Sequence, residues 1–471
     1  MLAKVKYKGF IFPVIVGIII WLLTSFRPEG VSIVAWHMLA MFIATIIACI
    51  TKPLPIMESA LIGLTLTVLF GIVPIDTATE AFGNDTVWLI GMAYFLSRGF
   101  IKTGFGKRIA LIFVKHFGTK TLGLAYSLAA VDVVSAAATP SNTARAGGIV
   151  YPIIDSLAHA FGSSPDDGTQ RKIGSFLVYN EFQVNTISSG LFLTGMASNL
   201  VSVAMARAQG ITISWFQWFI AALAPAAVSL ILVPLIIYKL YPPEIKETPD
   251  ARQWANKQLK EIGPMTKSEK VMCGDFILAL VLWLFANTIN IDSTLVGFIA
   301  VSVLLLFGVL TTDDLLKEKG AWNTIVWFSI LIFMANELTT LGFIPWLSNL
   351  LGHVLTGFSW LTVFMILFVF YFYSHYLFAS GTAHVSAMYG AMLGVALAAG
   401  VPHMLAAIIL CFAGPLFGST STYANGPSSL LFGTGYVEEK DWWKLSFILG
   451  IFYLIVWLGG GLLWTKVIGI W

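Results

Sequence analysis

Charge is scarce in this chain of 471 residues: lysine and arginine number 27, aspartate and glutamate 24, and together they make up 11% of it. Apolar residues make up 58%. Soluble domains carry about 25% charged residues, so a water-soluble globule is excluded and an integral membrane protein is expected. The net charge of +3 is too small to point to nucleic acid, and the lysines are better explained by membrane orientation. Cysteine is nearly absent. Cys49, Cys273 and Cys411 lie far apart with no Cys-x-x-Cys, which argues against a disulfide framework or a thiolate metal centre and for small buried hydrophobes. There is no Gly-x-Ser-Gly and no His-Glu-x-x-His, so the nucleophile and base settings of a hydrolase are missing. An enzyme is not expected, nor a cofactor or a metal.

What is present is a series of long apolar runs. A bilayer crossing needs roughly 17–25 such residues, and the runs fall near 10–26, 32–51, 57–73, 86–101, 173–190, 214–240, 272–290, 294–311, 322–341, 402–418 and 443–466. The first resembles a signal peptide but lacks a small-residue cleavage site, so it is read as an uncleaved span. Two further stretches, about 121–160 and 358–397, are too long for one span and broken at their middles. They read as re-entrant hairpins. The expectation is an all-α polytopic membrane protein of about eleven transmembrane helices plus two hairpins.

Charge placement sets the orientation. Lys4, Lys6 and Lys8 place the N-terminus in the cytoplasm by the positive-inside rule, and the basic segments 98–120 and 242–271 then fall on the same side. The loop 74–85 carries Asp76, Glu80 and Asp85 and falls outside. Segment 242–271, with Tyr241-Pro242-Pro243 before it and both charge signs within it, reads as a cytoplasmic linker with a short helix. It divides the chain into a first repeat, 1–241, and a second, 272–471, whose matching plans suggest an inverted repeat.

The repeat is visible in two pairs of motifs. Thr139-Pro140-Ser141-Asn142-Thr143-Ala144-Arg145 and Ala379-Ser380-Gly381-Thr382-Ala383-His384 both read Ser-x-Thr-Ala-basic inside apolar sequence. Leu193 to Asn199 and Gly418 to Pro427 both place hydroxyls, a glycine and an asparagine in the middle of a span. Broken helices at membrane depth are tolerated only where they are buried in protein or line a cavity, and matched breaks in two halves mark a transporter's site. Helix starts offer unpaired N–H groups and a positive dipole end. Ser141, Asn142, Thr143, Ser380 and Thr382 add neutral donors suited to reversible binding of carboxylate oxygens. Two facing tips would hold the two ends of a short dicarboxylate.

The plainer readings stand beside this one. A lone Ser-Asn-Thr in an apolar helix is more often a cap, and the argument rests on two of them in matched positions. Arg145 and His384, each four residues past the serine, supply either charge near a dianion or, for Arg145, a snorkelling contact and, for His384, a buried hydrogen bond. His375 and His403 read as structural or interfacial. Asp132, Asp155 and Glu181 read as edge or paired groups, with Glu181 a secondary candidate for a coupling carboxylate. The tryptophans read as interfacial belts and packing.

With these residues in view, the chain resembles the divalent anion/sodium symporter family over nearly its whole length. Ser141-Asn142-Thr143 and Ser380-Gly381-Thr382 are similar to that family's hairpin signatures, and 194–199 and 422–425 to its unwound segments. The stretch Tyr371 to His384 looks most like the family's exchanger branch of citrate/succinate antiporters and 2-oxoglutarate/malate translocators. The resemblance implies a homodimer in the cell membrane, with a fixed scaffold domain and a transport domain that moves as an elevator. It implies substrate contact by Ser141, Asn142, Thr143, Ser380, Gly381 and Thr382, joined by Thr194, Gly195, Asn199, Thr422 and Asn425. Sodium-coupled relatives carry asparagine where this chain has Gly381, which removes one sodium ligand and leaves open a residual Na⁺ site near Asn142. Arg145 and His384 would then supply permanently the charge that sodium brings. Exchange of C4/C5 dicarboxylates without Na⁺ is the expectation, and Na⁺-coupled symport is the alternative.

Overall fold

The computed structural model describes residues 7–137, 139–354 and 357–471. Lys4 and Lys6, which share the orientation argument, lie outside them. Among the described residues the regular structure is helical, apart from one isolated bridge between Lys120 and Glu247. Every run expected to cross the bilayer is helical. Among the described residues six helices are long and apolar enough to do so by length and composition: Ile33–Thr51, Trp215–Leu240, Lys319–Thr340, Trp360–Leu377, Gly381–Ala398 and Glu439–Val467. Five shorter apolar helices, among them Ile56–Leu69, Ser293–Leu306 and His403–Ser419, accompany them.

The two halves follow one order. After Ile11–Leu22, the first half runs Ile33–Thr51, Ile56–Leu69 and Asp85–Thr103, then the amphipathic helix Phe105–Phe117. The first hairpin follows, with limbs Thr121–Ala136 and 142–160; then a span broken between Gly174–Leu191 and Ala197–Ala208; then Trp215–Leu240. The second half repeats this as Lys267–Ile289, Ser293–Leu306, Lys319–Thr340, the helix Phe343–Val354, a hairpin of Trp360–Leu377 and Gly381–Ala398, a span broken between His403–Leu416 and Gly426–Gly433, and Glu439–Tyr453 with its continuation. The helices Phe105–Phe117 and Phe343–Val354 were not among the expected spans. Both are short, and Phe105–Phe117 carries the cations Lys107, Arg108 and Lys115, so neither reads as a crossing run.

The linker is tied down at both ends. Arg108 reaches from the amphipathic helix to Glu269 with Nε–Oε1 2.6 Å and Nη2–Oε2 3.1 Å, and also donates to the Gly263 carbonyl at 2.9 Å. Thr248 donates its backbone N–H to the Thr119 carbonyl at 2.8 Å and its hydroxyl to Gly118. The expected short helix is Asp250–Ile262, seated on Ala251 and Ala255. Outside the spans, Lys102 lies 2.6 Å from Asp314 and pushes that carboxyl down to about 2.

Helix Gly174–Leu191 is buried along all 18 of its residues, although it carries Asn180, Glu181, Gln183, Asn185, Ser188 and Ser189. Buried polar groups need partners, and several of these serve as anchors for neighbouring breaks. Gln183 donates to the Tyr179 hydroxyl and accepts from Tyr453, each at 3.0 Å. Asn185 donates to Asp132 at 3.1 Å and to the Asn142 carbonyl at 3.2 Å. This polar, buried helix fixes the first hairpin tip.

Candidate functional site

Each break ends one helix and starts another, and the starts are capped locally. Ser141 Oγ accepts from the Ala144 N–H at 3.2 Å, and Ser380 Oγ accepts from the Ala383 N–H at 3.3 Å. Asn425 and Ser428 form a reciprocal box, with Asn425 Oδ1 accepting from the Ser428 N–H at 3.0 Å and Ser428 Oγ from the Asn425 N–H at 2.9 Å. The fourth start, at Met196, has no side-chain cap. All four N-cap residues line a single cavity of about 340 Å³. Its walls come from Pro140 to Thr143, Met196 and Ala197, Ala379 to Thr382, and Asn425, Gly426 and Ser429, with Lys52 and Tyr94 completing them.

The breaks are held together across the two halves. A Cβ on Gly426 would lie 2.0 Å from Thr143 Oγ1, so the second broken span presses directly on the first hairpin tip. Gly381 in turn faces Met196, whose Cε would lie 3.4 Å from an added Cβ. Each tip therefore meets the broken span of the other half.

Each tip is also tied to the broken span of its own half, through its basic residue. Arg145 is fully buried and donates to the carbonyls of Thr139 and Gly195 at 2.6 Å, to Ser189 Oγ at 2.7 Å, and to Asp132 through Nε at 3.3 Å. Ser188 also donates to Asp132. His384 is fully buried as well, with Nδ1 3.0 Å from His375 Nδ1 and Nε2 3.1 Å from Ser374 Oγ. His375 Nε2 donates to the Ala424 carbonyl at 3.0 Å. A carbonyl can only accept, so in neutral His375 the other nitrogen accepts from His384. The relay ends beside the cap Asn425. The rings of Phe378 and Phe417 stack on His384 at 4.2 Å.

Of the residues expected at the site, the structure brings Ser141, Asn142, Thr143, Ser380, Gly381, Thr382 and Asn425 to the cavity wall. It does not bring Thr194, Gly195, Asn199 or Thr422 there. Thr194 donates to the Ala137 carbonyl at 2.6 Å, Gly195 accepts from Arg145, and Asn199 donates to the carbonyls of Ser189 and Phe192. These three satisfy the backbone of the break from behind. Arg145 and His384 sit in the same rear layer, so the expectation of basic groups facing a substrate is corrected to one of basic groups holding the tips. Neither snorkels to a membrane surface. His375 and Asp132 are structural partners, as their plainer readings have it.

Asn142 is 8% exposed, and its side-chain oxygen already accepts from the Thr143 N–H at 3.0 Å while its Nδ2 has no partner among the described residues. The orphan is a donor, which an acceptor oxygen rather than a cation would satisfy. Among the described residues no group of three or more His, Cys, Asp and Glu side chains could hold a metal ion. Sequence reasoning missed Lys52, Tyr94, Met196 and Ser429 at the cavity. For Lys52 one signal was available, a cation before Pro53 directly after an apolar run.

Known proteins resemble this chain along its length. A Bacillus subtilis protein provisionally named malate transporter YflS is 52% identical over 470 residues, covering 100% of this chain and 98% of that one. Dicarboxylate transporter 1 of the Spinacia oleracea chloroplast is 45% identical, over 98% of this chain and 82% of its own. The citrate/succinate antiporter of Escherichia coli is 36% identical over 96% of both. Among solved structures, the Alcanivorax borkumensis YdaH transporter shares the fold with a TM-score of 0.58 at 14% identity, over 86% of this chain and 88% of that one. The model of the sodium:sulfate symporter transmembrane region matches residues 4–471, and the chain accordingly belongs to that family, the divalent anion/sodium symporters its paired motifs resemble.

Proposed function

We propose that the protein is a secondary-active carrier that exchanges C4/C5 dicarboxylates such as succinate, malate and 2-oxoglutarate, with citrate within range, independently of Na⁺. The observation that carries this reading is the convergence of four helix starts on one cavity walled by hydroxyls and amides. Each start contributes roughly half a positive charge from its dipole, and the first N–H groups of each lack intrahelical acceptors. An anion is the ligand that such a cavity favours. The two hairpin tips fit the two ends of a dicarboxylate, and the names of the relatives agree with that class.

Exchange rather than symport is supported by Gly381, where an asparagine would be needed for a second sodium site, and by the donor polarity of the free Asn142 amide. The transport domain in this reading comprises both hairpins and both broken spans and moves as an elevator against a scaffold, in a homodimer whose N-termini are cytoplasmic. The second reading is a Na⁺-coupled dicarboxylate symporter, favoured by the sodium in the family description.

Labelled-succinate uptake into proteoliposomes separates the two. Uptake only into vesicles loaded with 2-oxoglutarate, the same with and without external Na⁺, is the expected result. Uptake into empty vesicles driven by a Na⁺ gradient would establish the symporter, and competition by sulfate but not by 2-oxoglutarate would point to an inorganic oxyanion.

A further inference from the structure

Among the described residues, Lys52 is the only Lys, Arg, His, Asp or Glu on the cavity wall. It belongs to none of the four breaks. It follows helix Ile33–Thr51, which packs with Ile56–Leu69 and Lys319–Thr340, and Tyr94 enters the wall from helix Asp85–Thr103 of the same packed group.

The backbone at this position is unusual. Lys52 terminates its helix at φ 49° and ψ 53°, with its N–H donating to the Ala48 carbonyl at 3.0 Å. Glycine is the usual residue at such a left-handed terminus, and a side chain there is strained. Pro53 follows, and a residue before proline is pushed toward extended conformations. Strained positions of this kind persist where the surroundings impose them and cluster at functional sites. The chain thus carries a lysine where backbone geometry favours glycine. The side chain is exposed, and its ammonium has no hydrogen bond or ion pair among the described residues. Among the described residues no acidic side chain lines the cavity to balance it.

We infer that Lys52 is a specificity-determining residue that pairs with one carboxylate of the bound dianion, and that it sets the preference for dicarboxylates over monocarboxylates. This rests on the transport reading above. The helix starts at the two tips offer each carboxylate partial positive charge. A formal cation without a protein counterion adds a full charge for one of the two carboxylates. Lys52 belongs to none of the four breaks, and its helix packs on the hairpin limb Gly381–Ala398, so a movement of that hairpin against the helix would change the pairing.

The test compares wild type, Lys52→Gly, Lys52→Arg and Lys52→Cys, the last in a Cys49→Ala background, by 2-oxoglutarate-driven succinate exchange. Glycine relaxes the left-handed position, so Lys52→Gly removes the charge while favouring the fold, and monodispersity on size exclusion checks this. A charge-assisted hydrogen bond lost from binding corresponds to about a 10-fold or greater rise in KM. That rise is expected in Lys52→Gly with kcat nearly kept, together with a matching loss of discrimination against a C4 monocarboxylate, while Lys52→Arg stays near wild type. Reaction of Lys52→Cys with aminoethyl methanethiosulfonate rebuilds a lysine-length cation and should restore the low KM. A monodisperse Lys52→Gly carrier with unchanged KM and selectivity, or one that loses kcat alone, would overturn the assignment and leave the transport reading standing. A wild type that moves no dicarboxylate would overturn both.

Discussion

The two hairpins solve one problem with different chemistry. At the first tip, Arg145 is held by a buried carboxylate, two carbonyls and serine hydroxyls, so a fixed charge pair locks the tip to the broken span behind it. At the second, the same position holds His384, which reaches the Ala424 carbonyl through His375 and packs between phenylalanine rings. Hydrogen bonds to charged groups contribute about 1.5–3 kcal/mol each and neutral ones about 0.5–1.5. The first tip is therefore the more rigid, and the second can rearrange without stranding a charge. In a carrier, a softer tip is the natural place for the site to open.

The largest effect should come from breaking the charge pair. Arg145→Ala leaves Asp132 buried and fully enclosed, and loss of one partner of a buried pair costs about 3–5 kcal/mol. His384→Ala leaves His375 without one partner, at about 1–3 kcal/mol. Unfolding midpoints in detergent should therefore fall far more for Arg145→Ala, and Asp132→Asn on top of it should recover part of the loss. Equal losses for the two variants would remove the contrast between the tips.

A smaller, steric contrast concerns the glycines that face the tips. Gly426→Ala must push against Thr143 at 2.0 Å, whereas Gly381→Ala meets only ordinary contacts at 3.4 and 3.7 Å. Gly426→Ala should lower succinate exchange about 10-fold or more, on the scale of 1–3 kcal/mol for overpacking, and Gly381→Ala should leave expression and folding near wild type. Tolerance of both would mean that the Thr143 side chain can turn aside at little cost.

The paired breaks were legible in the sequence because small hydroxyls, glycine and proline in apolar runs have few other uses. The identity of Ser141, Asn142, Thr143, Ser380, Gly381, Thr382 and Asn425 as wall residues follows from that pattern. What the pattern did not separate is front from back. Thr194 and Asn199 are the same residue types at the same kind of break, yet they turn away to donate to the carbonyls of Ala137, Ser189 and Phe192 behind them. Arg145 reads from sequence as a charge near the cavity, and only the fold shows that Asp132 and Gly195 are within its reach. Lys52 lies about ninety residues from the nearest hairpin motif, and nothing in the spacing of residues announces that helix packing will carry it to the cavity.

The caps provide the finest comparison, because here the two tips match. Ser141 and Ser380 accept from the N–H three residues on at 3.2 and 3.3 Å, so replacing either by alanine should cost about 1 kcal/mol of stability. If the serines act only as caps, Ser141→Ala and Ser380→Ala will lower the unfolding midpoint slightly and equally, with KM for succinate unchanged. If their hydroxyl protons also point to substrate oxygens, each will raise KM about 10-fold on top of the stability loss. Glycine substitution separates the two effects, since glycine at an N-cap costs only a few tenths of a kcal/mol. A Ser141→Gly or Ser380→Gly carrier with near-normal stability and a raised KM would assign that hydroxyl to the ligand. Raised KM at one tip alone would show that the substrate leans on that tip, and the asymmetry in how the hairpins are held would then extend to how they bind.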